Sequence, residues 1–429
     1  MKCFKNLSVL FLLVYVGMQN IFPVDNIESN ISTTTVIEND TNIEKRIKEE
    51  YKTARSYSDK KKYNKAIMAY NDILQKNAEY LSMPSKANRN IIATINNSIG
   101  LCYTRQGIYS KAKVYFEEAI KIKSEDNYYS AADINLSQTY ISMGLYNQAI
   151  EAAKKIIKVR ENSTVAHELI AVSYYNQGLL DISREEREKS LISSGDSSNY
   201  ASAHNGLGNI YTDIGLYESA GSEYQKALEI VPDFAPAIYG LGRLYNIKGE
   251  LEKASEYFER ENSKKNIEYN YIMLVATYKE LNNRIKFDKA LKEGVNWYKH
   301  EIKNKIEEGN NYAGLSLLYL YFSPVPVEAK KLAEKAIELK PFFWSYYALG
   351  QYYKKIKNYE DAIKYFKISI EKNPAFFGTS FSLSECYRAL SMFAEAEETC
   401  KKALSINPKN RFIKSELEKV NKKSNEVAD

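Results

Sequence analysis

The sequence predicts an all-α protein, an α-α superhelix in which helix hairpins stack one on the next and a last helix caps the carboxyl end. Three observations lead to this class. A pattern of apolar and small residues recurs about 34 residues on: Leu207, Gly208, Tyr211, Gly215, Ala220 and Tyr224 return as Leu241, Gly242, Tyr245, Gly249, Ala254 and Phe258. Within each copy the apolar positions keep helical spacing on both sides of a short turn at Gly215 or Gly249, so one copy is two helices. The 36 Tyr stand against only 9 Pro and 18 Gly, which favours long ordered helices over loops.

Taken in order, the chain opens with Lys2 and Lys5 ahead of an apolar run from Leu7 to Met18. A basic start before a run of this length is the pattern of a secretory signal. The run is shorter than the ~20 residues of a membrane span. Cys3 precedes it, so it is not the acylated cysteine of a bacterial lipoprotein, and no small-x-small triplet follows. Residues 1–24 are therefore expected to be a signal peptide or an uncleaved anchor, and both stay open. Residues 25–46, which include DNIESNISTTTVIEND, lack a helical period and predict a flexible polar linker. A first block of hairpins is expected over 47–268, a degenerate hairpin or bend over 269–309, and a second block with its capping helix over 310–429.

The pattern recurs well beyond its best pair. Ile99, Gly100, Tyr103, Gly107, Ala112 and Phe116 keep the same register, as do Leu136, Tyr140, Gly144 and Ala149, then Ile170, Ala171, Tyr174 and Gly178. Towards the end it returns as Leu349, Gly350, Tyr353, Ala362, Phe366 and Pro374, and again as Leu383, Tyr387, Ala396, Ala403 and Pro408. An eroded first copy carries Ala54, Tyr57, Tyr63, Ala66 and Tyr70. Leu-Gly-x-x-Tyr, then Ala, an aromatic, Ala and Pro at this period resembles the tetratricopeptide repeat, which implies a solenoid of about eight to ten hairpins. The residue types also follow from packing alone. Gly208 and Ala220 are small where the two helices of a hairpin cross, and Tyr211 and Tyr224 are large where hairpins meet. Proline at 232, 341, 374 and 408 closes each second helix. Between 268 and 309 the small residues of the second helix are missing.

Bulk composition narrows the function. Lys+Arg of 60 against Asp+Glu of 54 leaves +6, with the signs alternating along the chain, so nucleic acid is not expected as a partner. Cys3, Cys102, Cys386 and Cys400 have no regular spacing; a bridge between Cys386 and Cys400 is conceivable, but buried free thiols are expected. The Gly-x-Gly of NGLGNIY is not a nucleotide loop, because Tyr211 stands where the third glycine belongs and the flanks are helical. His167 and His204 hold equivalent places in successive copies, too far apart to share a metal, and read as packing rings. No cofactor, metal or catalytic residue is expected.

What remains is the concave face formed by the first helices. The register puts Asn97, Asn135, Gln138, Asn205, Asn209, Tyr239, Arg243, Asn246, Tyr347, Gln351 and Lys354 there. Amide groups donate and accept, so a row of them suits an extended peptide backbone, and the tyrosines add contact area. The resemblance also raises a carboxylate clamp known in some members of the family. It is incomplete here, since Asn205 and Gly240 stand where Lys and Asn are needed. The expected function is a non-catalytic scaffold for protein or peptide partners, exported to a bacterial periplasm or cell envelope. The alternatives are a membrane-anchored organiser of an envelope complex and an enzyme with its site in 269–309. Self-association through the ends of the solenoid is open as well.

Overall fold

Wherever a small residue faces a ring across a turn, two helices form and close on each other. The computed structural model describes residues 40–122, 130–192, 197–262, 270–304, 309–322 and 324–428. Its helices follow as α1 (Asp40–Asp59), α2 (Tyr63–Lys76), α3 (Ala78–Ser82), α4 (Lys86–Arg105), α5 (Tyr109–Ile122), α6 (Ser130–Ser142) and α7 (Tyr146–Val159). Then come α8 (Thr164–Asn176), α9 (Leu180–Ile192), α10 (Ser197–Asp213), α11 (Tyr217–Ile230), α12 (Ala235–Lys248), α13 (Leu251–Asn262), α14 (Asn270–Glu280) and α15 (Arg284–Asn304). The last are α16 (Gly309–Tyr319), α17 (Glu328–Leu339), α18 (Phe343–Lys355), α19 (Tyr359–Lys372), α20 (Phe377–Ala389), α21 (Phe393–Ile406) and α22 (Arg411–Ala428). They pair in order as hairpins, with α3 a short insertion after α2 and α22 the cap. The described residues are all-α, as the sequence predicts. Residues 1–39 lie outside them, so the expected signal or anchor is not described. Residues 40–46 of the expected linker belong to α1, where Ile43 and Ile47 pack into the first core.

Each hairpin is set by its crossing. A Cβ built on Gly100 would lie 2.6 Å from the Phe116 ring, and Gly208 and Gly242 stand equally close to Tyr224 and Phe258. Where glycine is absent, serine takes its place and uses its hydroxyl. Ser137 donates to the Ala149 carbonyl at 2.8 Å, Ser316 to Ala329 at 2.7 Å and Ser384 to Ala396 at 3.2 Å. In α8 and α9 the pair is reversed, with Ser183 donating to Ala171 at 2.7 Å. The serine satisfies its hydroxyl against a carbonyl of the crossing helix, so a polar atom costs nothing there.

The chain forms two compact units, residues 40–170 and residues 171–303 with 309–428, and the division falls inside α8. The amino-terminal unit is built on a core around Ile47, Ala54, Tyr70, Ile95 and Ile99. In the carboxyl-terminal unit Ala220, Tyr224, Ala237, Ile238 and Leu241 form one core, and a separate small cluster gathers Tyr175, Leu180, Ile210 and Ala375. That second cluster joins distant hairpins. Asn407 Nδ2 donates to the Thr212 carbonyl at 3.2 Å, and Arg411 reaches the carbonyls of Ile247 at 3.1 Å and Asn246 at 3.0 Å. The degenerate stretch is a hairpin whose second helix, α15, runs to 21 residues and buries Phe287, Ala290, Leu291, Val295 and Tyr298. The small residues expected to be missing from its second helix are present as Ala290 and Gly294, both buried, and a Cβ on Gly294 would stand 2.7 Å from Tyr271 of α14. The cap α22 buries Ile413, Glu416 and Val420, and Arg388 donates twice to the Glu416 carboxylate. No helix among the described residues is long and apolar enough to cross a membrane.

The crossing makes a quantitative expectation. Gly208→Val forces two branches against the Tyr224 ring and should cost about 1–3 kcal/mol of stability, read from urea unfolding of the whole chain. An unchanged midpoint would show that the crossing has slack.

Candidate functional site

The sequence-derived row is where polar side chains of successive first helices meet. Asn97, Asn135, Asn205, Tyr239, Arg243, Asn246 and Tyr347 are buried, whereas Gln138, Asn209, Gln351 and Lys354 are half-buried. The expectation of an open row is corrected in this respect: seven of these side chains have little surface left. The physical reason is the stacking of the hairpins, which brings neighbouring first helices together until their side chains bond one another.

The bonds run from hairpin to hairpin. Asn135 Nδ2 donates to Asn97 Oδ1 at 2.9 Å. Arg243 donates to Asn209 Oδ1 at 3.1 Å and forms a buried ion pair with Asp213. Asp213 also accepts the Tyr175 hydroxyl at 2.6 Å, and Tyr224 donates to Asn209 at 2.8 Å. Further along, Asn246 Nδ2 donates to Thr277 at 3.2 Å, Gln351 Nε2 to Ser382 at 2.6 Å, and Lys354 pairs with Glu385. The two tyrosines pack by their rings, Tyr239 on Phe258 and Tyr347 on Trp344, Phe366 and Phe376. Burial works against the charge on Arg243, but Asp213 beside it more than offsets this and keeps the guanidinium protonated.

Sequence reasoning missed several partners. Asp213, Thr277, Ser382 and Glu385 complete the row, and the only signal for them is their place about one repeat from a residue already in it. A groove of about 430 Å³ in the amino-terminal unit was also missed, because it lies between the second helices α5 and α7 and the first helix α6. Ile120, Leu136, Tyr140 and Ala152 line its walls, with Glu117, Lys121, Glu151 and Lys155 around them.

The remaining reactive side chains sit in packed places. Burial pushes the Cys386 thiol up to about 12 and the Cys400 thiol up to about 11, and both cysteines are free. Cys400 donates to Ser384 Oγ at 3.2 Å, at the crossing of its hairpin. His204 is more than a packing ring: its Nδ1 lies 2.6 Å from Glu223, which also accepts Lys226 at 2.7 Å. Among the described residues no cluster of three His, Cys, Asp or Glu is placed to hold a metal.

Comparison with known proteins bears on the repeats directly. Models described as tetratricopeptide repeat match residues 93–126, 134–163, 201–234 and 235–260, and a further one matches 347–411. The chain carries tetratricopeptide repeats. The TPR repeat-containing protein MJ1428 of Methanocaldococcus jannaschii is 26% identical over 292 residues, 65% of this chain and 43% of that protein. The human protein O-mannosyl-transferase TMTC1 is 24% identical over 169 residues, 39% of this chain and 19% of that protein. The chain thus spans less than half the length of both relatives. Among solved structures, a chain of the APC/C hetero-tetramer Cut9-Hcn1 is 15% identical with a TM-score of 0.44, covering 86% of this chain and 75% of that one. MamA is 24% identical with a TM-score of 0.31, covering 39% of this chain and 94% of that one.

Glu223 gives the tetratricopeptide hairpin of α10 and α11 an expected pH response. Burial pushes its carboxyl up, but the bonds from His204 and Lys226 outweigh this and hold it below 4.5. A lowered acid adds stability that is whole above its ordinary value and fades as pH falls through the folded one. Glu223→Gln should therefore lower the urea midpoint at pH 6 and lower it by less at pH 3. An equal loss at both pH values would show that the carboxylate charge contributes nothing.

Proposed function

We propose that this chain is a non-catalytic scaffold that holds protein partners through the first-helix faces of its tetratricopeptide hairpins. The supporting observation is the row itself, in which Asn209, Gln351 and Lys354 keep accessible surface beside partners in the next hairpin. The amides both donate and accept and the Lys354 ammonium donates, so an extended segment of a partner can bond to them irrespective of its own sequence. The buried members of the row hold the helices in register under that surface.

The proposed place of work is the cell envelope. The basic start and the apolar run Leu7–Met18 support export, by a signal that is removed or by an anchor that is kept. In this reading the repeats serve as a binding module rather than as the source of an activity.

Cross-linked co-purification of the tagged full-length protein from its native cells tests this reading. The comparison is a variant carrying Gln138→Ala, Asn209→Ala, Gln351→Ala and Lys354→Ala that keeps its helical circular dichroism. A partner enriched by the parent and lost by the variant is the expected outcome, with the protein in the envelope fraction. Equal recovery by both chains would move binding away from the row, and recovery in the cytosol alone would overturn the envelope assignment.

A further inference from the structure

In the carboxyl-terminal unit three hairpin turns receive contacts from residues far along the chain. Pro374 lies against Gly178, Asn407 against Gly215 and Arg411 against Gly249, each glycine having a left-handed φ of +75°, +81° and +86° respectively. The turns of α14 with α15, α18 with α19 and α20 with α21 use the same left-handed backbone but place Asn282, Lys357 and Ser391 there. A Cβ on Gly215 would stand 2.5 Å from Asn407 Oδ1, and one on Gly178 would stand 2.6 Å from Pro374. Glycine at 178 and 215 is thus demanded by a neighbour as well as by φ, and the seam is written into the sequence.

The seam is made of few and mainly polar contacts. Asn407 and Arg411 donate to carbonyls at the carboxyl ends of α10 and α12, where the cation of Arg411 also meets the favourable end of the helix dipole. Arg411 further pairs with Glu280 at 3.1 Å, and the two side chains keep 35% and 27% of their surface in solvent. An ion pair this exposed is weak. Apolar support comes from the small cluster of Tyr175, Leu180, Ile210 and Ala375.

Polar groups on the first helices of this unit are buried without partners. Asn205 Oδ1, Asn246 Oδ1, both amide atoms of Asn310 and Trp344 Nε1 have no hydrogen-bond partner among the protein's groups. Two of them adjoin the seam. The backbone carbonyl of Asn246 is held by Arg411, and the Trp344 ring packs edge-on against Phe376, beside the Pro374 and Ala375 that form the seam. The closed arrangement therefore keeps costly unsatisfied atoms that a partner's peptide groups would satisfy.

We propose that this seam is a latch: releasing Asn407 and Arg411 frees α20, α21 and α22 from the ends of α10 and α12 and opens the buried polar atoms beside the seam to a partner's backbone. The latch rests on the scaffold reading only for the identity of what enters; its opening is a property of the free chain. A partner binds the open arrangement, so the seam sets how much of the protein is competent to bind.

The test uses Trp344 as its reporter. Trp297→Phe leaves it the sole tryptophan, since the chain has 2. Acrylamide quenching is compared between this full-length background and the same chain with Asn407→Ala and Arg411→Ala. The latch predicts at least a twofold rise in the quenching constant and a red-shifted emission, with helical circular dichroism unchanged. Equal quenching with helix content intact overturns it. If the double variant loses helix content, Arg411→Ala alone carries the same reading, and loss of helix content in that variant too makes the seam a requirement for folding and also overturns the latch. Because no partner is present, failure here is distinct from failure of the co-purification.

Discussion

A hairpin of two short helices has two apolar faces and can bury only one by itself, so each copy depends on the next. That constraint decides what every strongly placed residue does. Glycine or serine at the crossing lets the two helices approach, the ring of Phe116, Tyr224 or Phe258 fills the space so created, and the remaining face seeks a neighbouring hairpin. Once the hairpins stack, their first helices run side by side. Polar residues of neighbouring first helices then meet at hydrogen-bond distance, as Asn97 and Asn135 do.

The buried Asp213–Arg243 pair shows how far this goes. It takes Tyr175 from α8, Asp213 and Asn209 from α10, Tyr224 from α11 and Arg243 from α12 into one network. A buried ion pair of this kind is not a large source of net stability, because both ions are taken from water. Its effect is selective: any shift of one hairpin against the next would leave a charge unpaired in the interior. The network thus fixes the register of neighbouring hairpins, and the half-buried members of the row are held in fixed positions as a result.

Much of this was legible in the sequence, and the gaps have physical reasons. The hairpins, their turns and the closing prolines follow from spacing and residue size, which are local properties. Serine at 137, 316 and 384 escaped notice because its role needs a carbonyl on the other helix. The burial of Arg243 and Asn246 could not be read either, since the register gives the face of a helix but not the distance to the helix opposite. Contacts such as Asn407 with Thr212 join parts of the chain that no local pattern connects. The repeat pattern did mark the three turns involved, at Gly178, Gly215 and Gly249, but gave no sign of what lies against them.

The most direct measurement is a double-mutant cycle across the Asp213–Arg243 pair, read from equilibrium unfolding of the full-length chain. If the polar row holds neighbouring hairpins together, Asp213→Ala and Arg243→Ala should each cost about 3–5 kcal/mol by stranding a buried charge. The double variant should then lose far less than the two combined. Losses that simply add would contradict the account, because they would mean that the two side chains act separately and that the row does not couple one hairpin to the next.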